Sequence, residues 1–226
     1  MQPSPDMLRQ IYEALLGHFG PRGWWPGESR LEIIIGAVLT QAVAWRNVKR
    51  AIDNLKSARL IDINALLDVD QEILAEQIRP ALYHRQKSKK LKALMAYIAD
   101  KYDGDLDLMF QEPLPKLREE LLAVWGIGPE TADSILLYAG DKLIFVVDAY
   151  TKRILHRLGL TDEDISYRDM QDFMEHHVPP DLYIYNEYHA LLVGVGAGYC
   201  KKSKPRCPEC PILKFCKYLT YLQEKY

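Results

Sequence analysis

Apolar residues recurring at helical spacing along most of the chain, glycine or proline breaks between those runs, and the scarcity of β-branched alternation together predict an all-α protein. The 226 residues are 48% hydrophobic, enough to bury a core in one large domain or two smaller ones. Asp6 to Phe19 forms the first expected helix, with Met7, Ile11, Leu15 and Leu16 on one face, and it should stop near Gly17 to Gly20 with Pro21 beyond. After the loop GPRGWWPGES come two helices in SRLEIIIGAVLTQAVAWRNVKRAIDNLK. The first is apolar nearly all round and hence buried, and the second is amphipathic through Val48, Ile52 and Leu55. INALLDV, QEILAEQI, KSKKLKALMAYIADKY and LPKLREELLAV read as further helices. KLIFVVD has strand-like density but equally suits an extended connection into helical AYTKRILHRLGL. SYRDMQDFMEHHV and LYIYNEYHALLVGVGAGYC complete the series, with no internal repeat.

Twenty-nine Lys and Arg against 31 Asp and Glu give a formal net charge of −2. Any affinity for nucleic acid must therefore come from a local basic patch. No stretch approaches the roughly 20 apolar residues of a membrane span, and the N-terminus lacks the basic-then-apolar order of a leader, so a cytoplasmic protein without a membrane partner is expected.

Cys200, Cys207, Cys210 and Cys216 all fall within 17 residues, too local for the staples of a disulfide-built fold. Four thiolates without an intervening histidine suit tetrahedral zinc or a cubane iron–sulfur cluster. Intervals of six, two and five residues differ from the paired knuckles of four-cysteine zinc sites and favour one compact cluster wrapped by one loop. Between the first two cysteines, KKSKPR places Lys201, Lys202, Lys204 and Arg206 without an acidic residue, a candidate phosphate contact.

LPKLREELLAVWGIGPETADSILLYAG reads as helix, tight turn, helix. Gly126 and Gly128 permit backbone angles and close approaches denied to other residues, and Pro129 suits a first helical turn. Leu121, Leu122, Val124, Ile127, Ala132, Ile135 and Leu136 would lock the two helices into a helix-hairpin-helix, whose backbone N–H groups can hold a phosphate irrespective of base sequence. Trp125, within this turn, is expected to pack. Glu130 suits the first turn of a helix, and Asp148 suits the N-cap of the helix AYTKRIL.

With this hairpin, VVDAYTKRIL after it and the cysteine spacing in its C-terminal place, the chain resembles the endonuclease III branch of the helix-hairpin-helix DNA glycosylases over most of its length. The resemblance implies two helical domains: a six-helix barrel with the hairpin over 28–140, and a domain of 1–27 with 141–226 holding a [4Fe–4S] cluster on Cys200, Cys207, Cys210 and Cys216. It implies base excision repair of duplex DNA whose damaged base is flipped out, by a protein expected to act as a monomer. Asp148 matches the catalytic aspartate, which stabilises an oxocarbenium-like sugar or helps activate the nucleophile. Gln41 matches the residue that fills the gap left by the flipped nucleotide, with Ala42 as the other register. Gly126, Gly128 and Thr131 of the hairpin and Lys201, Lys202, Lys204 and Arg206 of the cysteine loop are then expected to grip DNA phosphates.

The departure is Glu130, which stands where bifunctional relatives carry a Schiff-base lysine. A carboxylate cannot form an imine, so a monofunctional glycosylase using water is expected, with AP lyase activity weak or absent. Neither Lys142 nor Lys152 lies in a motif that would replace the missing amine. Trp24, Trp25 and Pro26 resemble the Trp-Pro loop of the 3-methyladenine glycosylases, where aromatic rings stack on the flipped base, and Trp45 suits an opposite wall. N-alkylation makes a purine cationic, so π-faces can select it. The substrate expected is an alkylated purine such as 3-methyladenine; the alternatives are an endonuclease III-like enzyme on oxidised pyrimidines and a damage-binding module without catalysis.

Overall fold

The computed structural model describes residues 5–218. The ends of the expected cluster domain, 1–4 and 219–226, lie outside the described residues. Helices make up 68% of the structure and no strand occurs among the described residues. None of these helices is long and apolar enough to cross a membrane. By internal packing the chain divides into two compact units, one running from Trp25 to Lys142 and the other joining the residues through Trp24 to those from Leu143 on.

The central unit opens with α2 (Arg30–Leu39), which follows α1 of the other unit. Ser29 caps α2 by accepting from the Glu32 amide, one of the orphan donors of the helix start, while the Glu32 carboxylate reaches back past the cap to accept from the Glu28 amide. Its apolar circumference is buried, as Leu31, Ile34, Ile35, Val38 and Leu39 require. α3 (Trp45–Ser57) buries only Val48, Ala51, Ile52 and Leu55 and leaves its basic face in water. Short helices α4 (Ile63–Asp68) and α5 (Gln71–Gln77) start on aspartate caps, Asp62 and Asp70. The long α6 (His84–Tyr102) follows, packing against α2, α4 and α5 through Leu91, Leu94, Met95 and Ile98. α7 (Leu106–Gln111), α8 (Leu114–Ala123) and α9 (Pro129–Ser134) complete the unit, and α9 continues into a π-helical turn, Ile135–Ala139.

In the other unit α1 (Pro5–Phe19) and α10 (Ala149–Leu158) both pack on α12 (Leu182–Gly198), with α11 (Tyr167–His177) between them in sequence. Tyr188 of α12 is buried and donates its hydroxyl to the Leu8 carbonyl at 2.8 Å. Gly196 lets α10 approach, since a Cβ there would lie 2.2 Å from the Tyr150 ring. The strand-like KLIFVVD is an extended connection. Side chains of α11 replace a neighbouring strand: Glu175 accepts from the Phe145 amide and Gln171 donates to the Phe145 carbonyl. Burial of Ile144, Phe145, Val146 and Val147 accounts for the β-branched density.

Candidate functional site

The hairpin between α8 and α9 is braced by its own side chains. Ile127 turns inward, and Asp133, with no exposed surface, takes a bidentate pair from Arg118 of α8 at 2.7 and 3.1 Å. The two glycines differ. Gly126 has φ +83°, and a Cβ would lie 2.5 Å from Cγ of Lys90, whose stem crosses the turn. Gly128 has φ −97°, and nothing lies within 4 Å of the Cβ it lacks. Trp125 is 57% exposed, which overturns its expected packing role: the turn directs residue 127 into the core and residue 125 out. Thr131 is buried. Glu130 stands exposed in the first turn of α9, where its charge meets the helix dipole.

The turn after α2 meets this hairpin. Gln41 donates to the Thr131 hydroxyl at 2.8 Å and to the Gly126 carbonyl at 3.3 Å, while its own carbonyl accepts from Lys90 Nζ at 2.5 Å. Ala42, the other register, is exposed with φ +56°. Lys142 and Lys152 each hold a backbone carbonyl, those of Glu112 and Ile165.

Trp25 and Trp45 meet edge to face, centroids 5.4 Å apart with the planes at 90°, and Tyr138 lies 5.4 Å from Trp25. The aromatic corner needs Gly36, because a Cβ there would lie 2.9 Å from the Trp25 indole nitrogen. Tyr138 belongs to the π-helical turn, a distortion that re-aims side chains and that helical periodicity does not reveal. Pro26 is exposed, and Trp24 belongs to the other compact unit. There, Glu187 of α12, only 2% exposed, holds the loop before the tryptophans by accepting from the amides of Arg22 and Gly23 at 2.7 and 2.8 Å.

Asp148 caps α10. One carboxylate oxygen accepts from the amide and hydroxyl of Thr151 at 2.6 and 2.8 Å, and the other faces His189 Nε2 at 3.8 Å. Burial pushes the His189 pKa down and the Asp148 charge opposes that shift. Burial thus favours the neutral imidazole of His189, beside an acid whose capping oxygen is already engaged.

The four cysteines line one recess of roughly 300 Å³, part of it open to solvent, with Arg157, Tyr199, Leu213 and Tyr218. Burial pushes the Cys210 and Cys216 thiols up, toward the neutral form, and the neighbouring cysteines push them further. Among the described residues no three Cys, His, Asp or Glu converge closely enough to hold one metal ion. Four thiols on one recess fit either a tetrahedral ion or a cluster with four points of attachment. Arg157 binds the loop from α10, donating to the carbonyls of Lys201 and Lys202 at 2.8 and 3.2 Å and to Cys200 Sγ at 3.4 Å. Lys201, Lys202 and Lys204 are exposed, whereas Arg206 is neutralised by an ion pair with Glu209.

The family model of the HhH-GPD superfamily of base excision DNA repair proteins matches residues 35–180, from within α2 through the hairpin and Asp148 to just beyond α11. The chain belongs to that superfamily. A protein of Methanocaldococcus jannaschii named as a DNA repair glycosylase is 46% identical over 213 residues, covering 93% of this chain and 96% of the relative. Among solved structures, the Helicobacter pylori 3-methyladenine DNA glycosylase bound to 1,N6-ethenoadenine superposes with a TM-score of 0.74 at 30% identity, covering 85% of this chain and 96% of that one. A trapped endonuclease III–DNA intermediate superposes with a TM-score of 0.83 over 98% of this chain and 100% of that one; at 22% identity it establishes the shared fold. This HhH-GPD protein is a DNA-binding glycosylase of base excision repair.

The sequence had pointed to Trp25, Trp45, Gln41 and the hairpin separately; the structure brings Trp25 to Trp45 and Gln41 to the hairpin. It adds Tyr138, Gly36, Glu187, Arg157, Lys90 and the buried Lys87 of α6, whose ammonium donates to the carbonyls of Leu39, Gln41 and Ala81. Of these only Lys87 carried a local signal, lying in register with the buried Leu91, Leu94, Met95 and Ile98 of α6.

Proposed function

We propose that this glycosylase is monofunctional and removes an alkylated purine, 3-methyladenine above all, from duplex DNA with water as the nucleophile. The observation that carries the reading is the aromatic corner of Trp25, Trp45 and Tyr138. A purine alkylated on the ring is cationic, and an aromatic face attracts such a ring by about 0.5–2 kcal/mol, which a neutral base does not gain. The Helicobacter pylori relative with a bound ethenoadenine supports the same class of modified purine.

The alkylated base is already a good leaving group, so modest assistance suffices. As the bond from C1′ to the base nitrogen breaks, its electron pair neutralises the purine and positive charge develops on the sugar. Asp148 provides the counter-charge through its second oxygen, the first being held by Thr151. Water then bonds to C1′ and loses a proton to Asp148 or solvent. Glu130 offers no amine for an imine, and Lys142 and Lys152 are engaged by carbonyls, which supports weak or absent AP lyase activity. Gly126, Gly128 and the exposed Lys201, Lys202 and Lys204 would contact phosphates, with Gln41 in the space of the extruded nucleotide.

Cys200, Cys207, Cys210 and Cys216 would hold a [4Fe–4S] cluster, and those four attachments would fix the basic loop in one shape. The protein would act as a monomer in the cytoplasm, on the nucleoid of a bacterial or archaeal cell.

The test is incubation with methylated duplex and with duplexes carrying thymine glycol, adenine opposite 8-oxoguanine or an abasic site. Free base, alkali-dependent breaks and borohydride trapping are the readouts. Release of 3-methyladenine without trapping is expected. Release of oxidised pyrimidine with trapping would replace this reading by an endonuclease III-like one.

A further inference from the structure

Lys87 is 2% exposed. It points its ammonium at three backbone carbonyls, those of Leu39 and Gln41 at 2.8 Å each and of Ala81 at 2.7 Å. Three donors meet three acceptors, a match that a neutral amine with two N–H groups could not complete. The carbonyls come from two separate turns: Leu39 ends α2, Gln41 lies beyond it, and Ala81 ends the 3-10 turn Arg79–Ala81 before α6. Burial, and next to it the charge of Lys90, lower the Lys87 pKa to about 8, which leaves the ammonium mainly charged at neutral pH.

Lys90 lies one helical turn further along α6. Its Nζ donates to the side-chain carbonyl of Gln41, and its stem occupies the space that a side chain at Gly126 would need. The Gln41 amide nitrogen is meanwhile bound to Thr131 and Gly126 of the hairpin. Two cations on one face of one helix thus hold the backbone and the side chain of the same glutamine, while a third region, the hairpin, takes the other end of its amide.

We propose that Lys87 and Lys90 are positioning residues that set the Gln41 turn against the hairpin before DNA arrives, so that the extruded-nucleotide space meets a glutamine already ordered. The inference rests on the reading that Gln41 fills that space. Its physical content is preorganisation: an unrestrained glutamine would have to lose rotamer freedom on binding, a cost that corresponds to about three- to tenfold in affinity.

The test compares wild type, Lys90→Met, Lys87→Met, Gln41→Ala and the Lys90→Met/Gln41→Ala double variant. Affinity is measured for a duplex with a tetrahydrofuran abasic analogue and for the same duplex undamaged, with 2-aminopurine opposite the analogue reporting the stacking of the orphan base. Lys90→Met and Gln41→Ala should each weaken analogue binding about three- to tenfold and alter the 2-aminopurine signal. Undamaged binding should stay within about twofold, and the double variant should be no worse than Gln41→Ala alone, because both remove one coupled arrangement. Lys87→Met strands three carbonyls and is expected to lower stability; Lys90, partly exposed, supplies the variant that keeps the test valid.

Losses that multiply in the double variant would overturn the inference. So would a fall in undamaged binding with a salt slope smaller by about 0.9, which would make Lys90 a direct phosphate contact. An effect of Gln41→Ala with none from either lysine would overturn the positioning role and leave the Gln41 reading standing, whereas no effect of Gln41→Ala would overturn both.

Discussion

The hairpin and the cysteine loop are both irregular segments of a helical protein, yet they are held in opposite ways. Around Gly126 to Asp133 the chain supplies every brace itself: the Arg118–Asp133 pair, the Lys90 stem, the Gln41 amide and the inward Ile127. From Cys200 to Cys216 the chain offers four thiols turned toward one recess and Arg157 along the edge, with only two short 3-10 turns of regular structure. The first region is specified by contacts within the chain, whereas the second has few of its own and presents four thiols to one recess. A surface that must grip DNA in one shape can be built by either route, because both remove conformations before binding.

The comparison breaks first at Arg118. Arg118→Met leaves the fully buried Asp133 without its bidentate partner and should cost about 3 kcal/mol, read as a lower melting temperature with hydrogen exchange accelerated across α8 and α9. Acid should strain the same helix. Burial by itself would raise the Glu120 pKa, but hydrogen bonds from Lys101, Tyr102 and Tyr97 outweigh it and hold the carboxyl down at about 2. Since the folded value lies below the unfolded one, the stabilisation is fully present above about pH 5 and is lost as pH falls toward 2. Glu120→Gln should lose on the order of 2 kcal/mol at neutral pH and show a flatter acid profile in denaturant titrations.

On the cysteine side, Cys210→Ser should release the loop while sparing the hairpin. Exchange should rise over 200–218 and not over 124–135, with DNA affinity falling about tenfold, or roughly 1.4 kcal/mol. Equal acceleration in both regions would show that the loop does not depend separately on its sulfurs.

The finest discrimination lies in the two glycines. Gly126→Ala meets a positive φ and the Lys90 stem and should destabilise by about 1–2 kcal/mol. Gly128→Ala meets neither and should change stability by only about 0.5 kcal/mol, while weakening duplex binding several-fold if a phosphate approaches that backbone. A Gly128→Ala protein with unaltered DNA affinity would remove residue 128 from the proposed contact surface.

Much of the local order was legible in the sequence. Helical class, the glycine turn between α8 and α9, and the crowding of four cysteines depend on spacings of a few residues, and the periodicity of a helix or the reach of a loop reads such spacings directly. KLIFVVD shows the limit: its composition reported burial correctly but could not say whether a strand or the side chains of Glu175 and Gln171 would satisfy its backbone. Trp125 shows another, since a residue within an apolar run can face out at a turn.

By itself the sequence determined which segments are helical, where they are capped, and which chemical groups the chain carries: an acid rather than an amine at 130, an aspartate ahead of α10, and four thiols within one short loop. Only the tertiary structure decided which groups meet. Lys87 with three carbonyls from two turns, Gln41 with Thr131 across 90 positions, Tyr138 with Trp25, and Glu187 beneath the Arg22–Gly23 amides are all pairings between distant segments. A periodic pattern states that a face is buried but not what covers it. Partners separated by tens of residues are selected by the packing of whole helices, which no local stretch of sequence encodes.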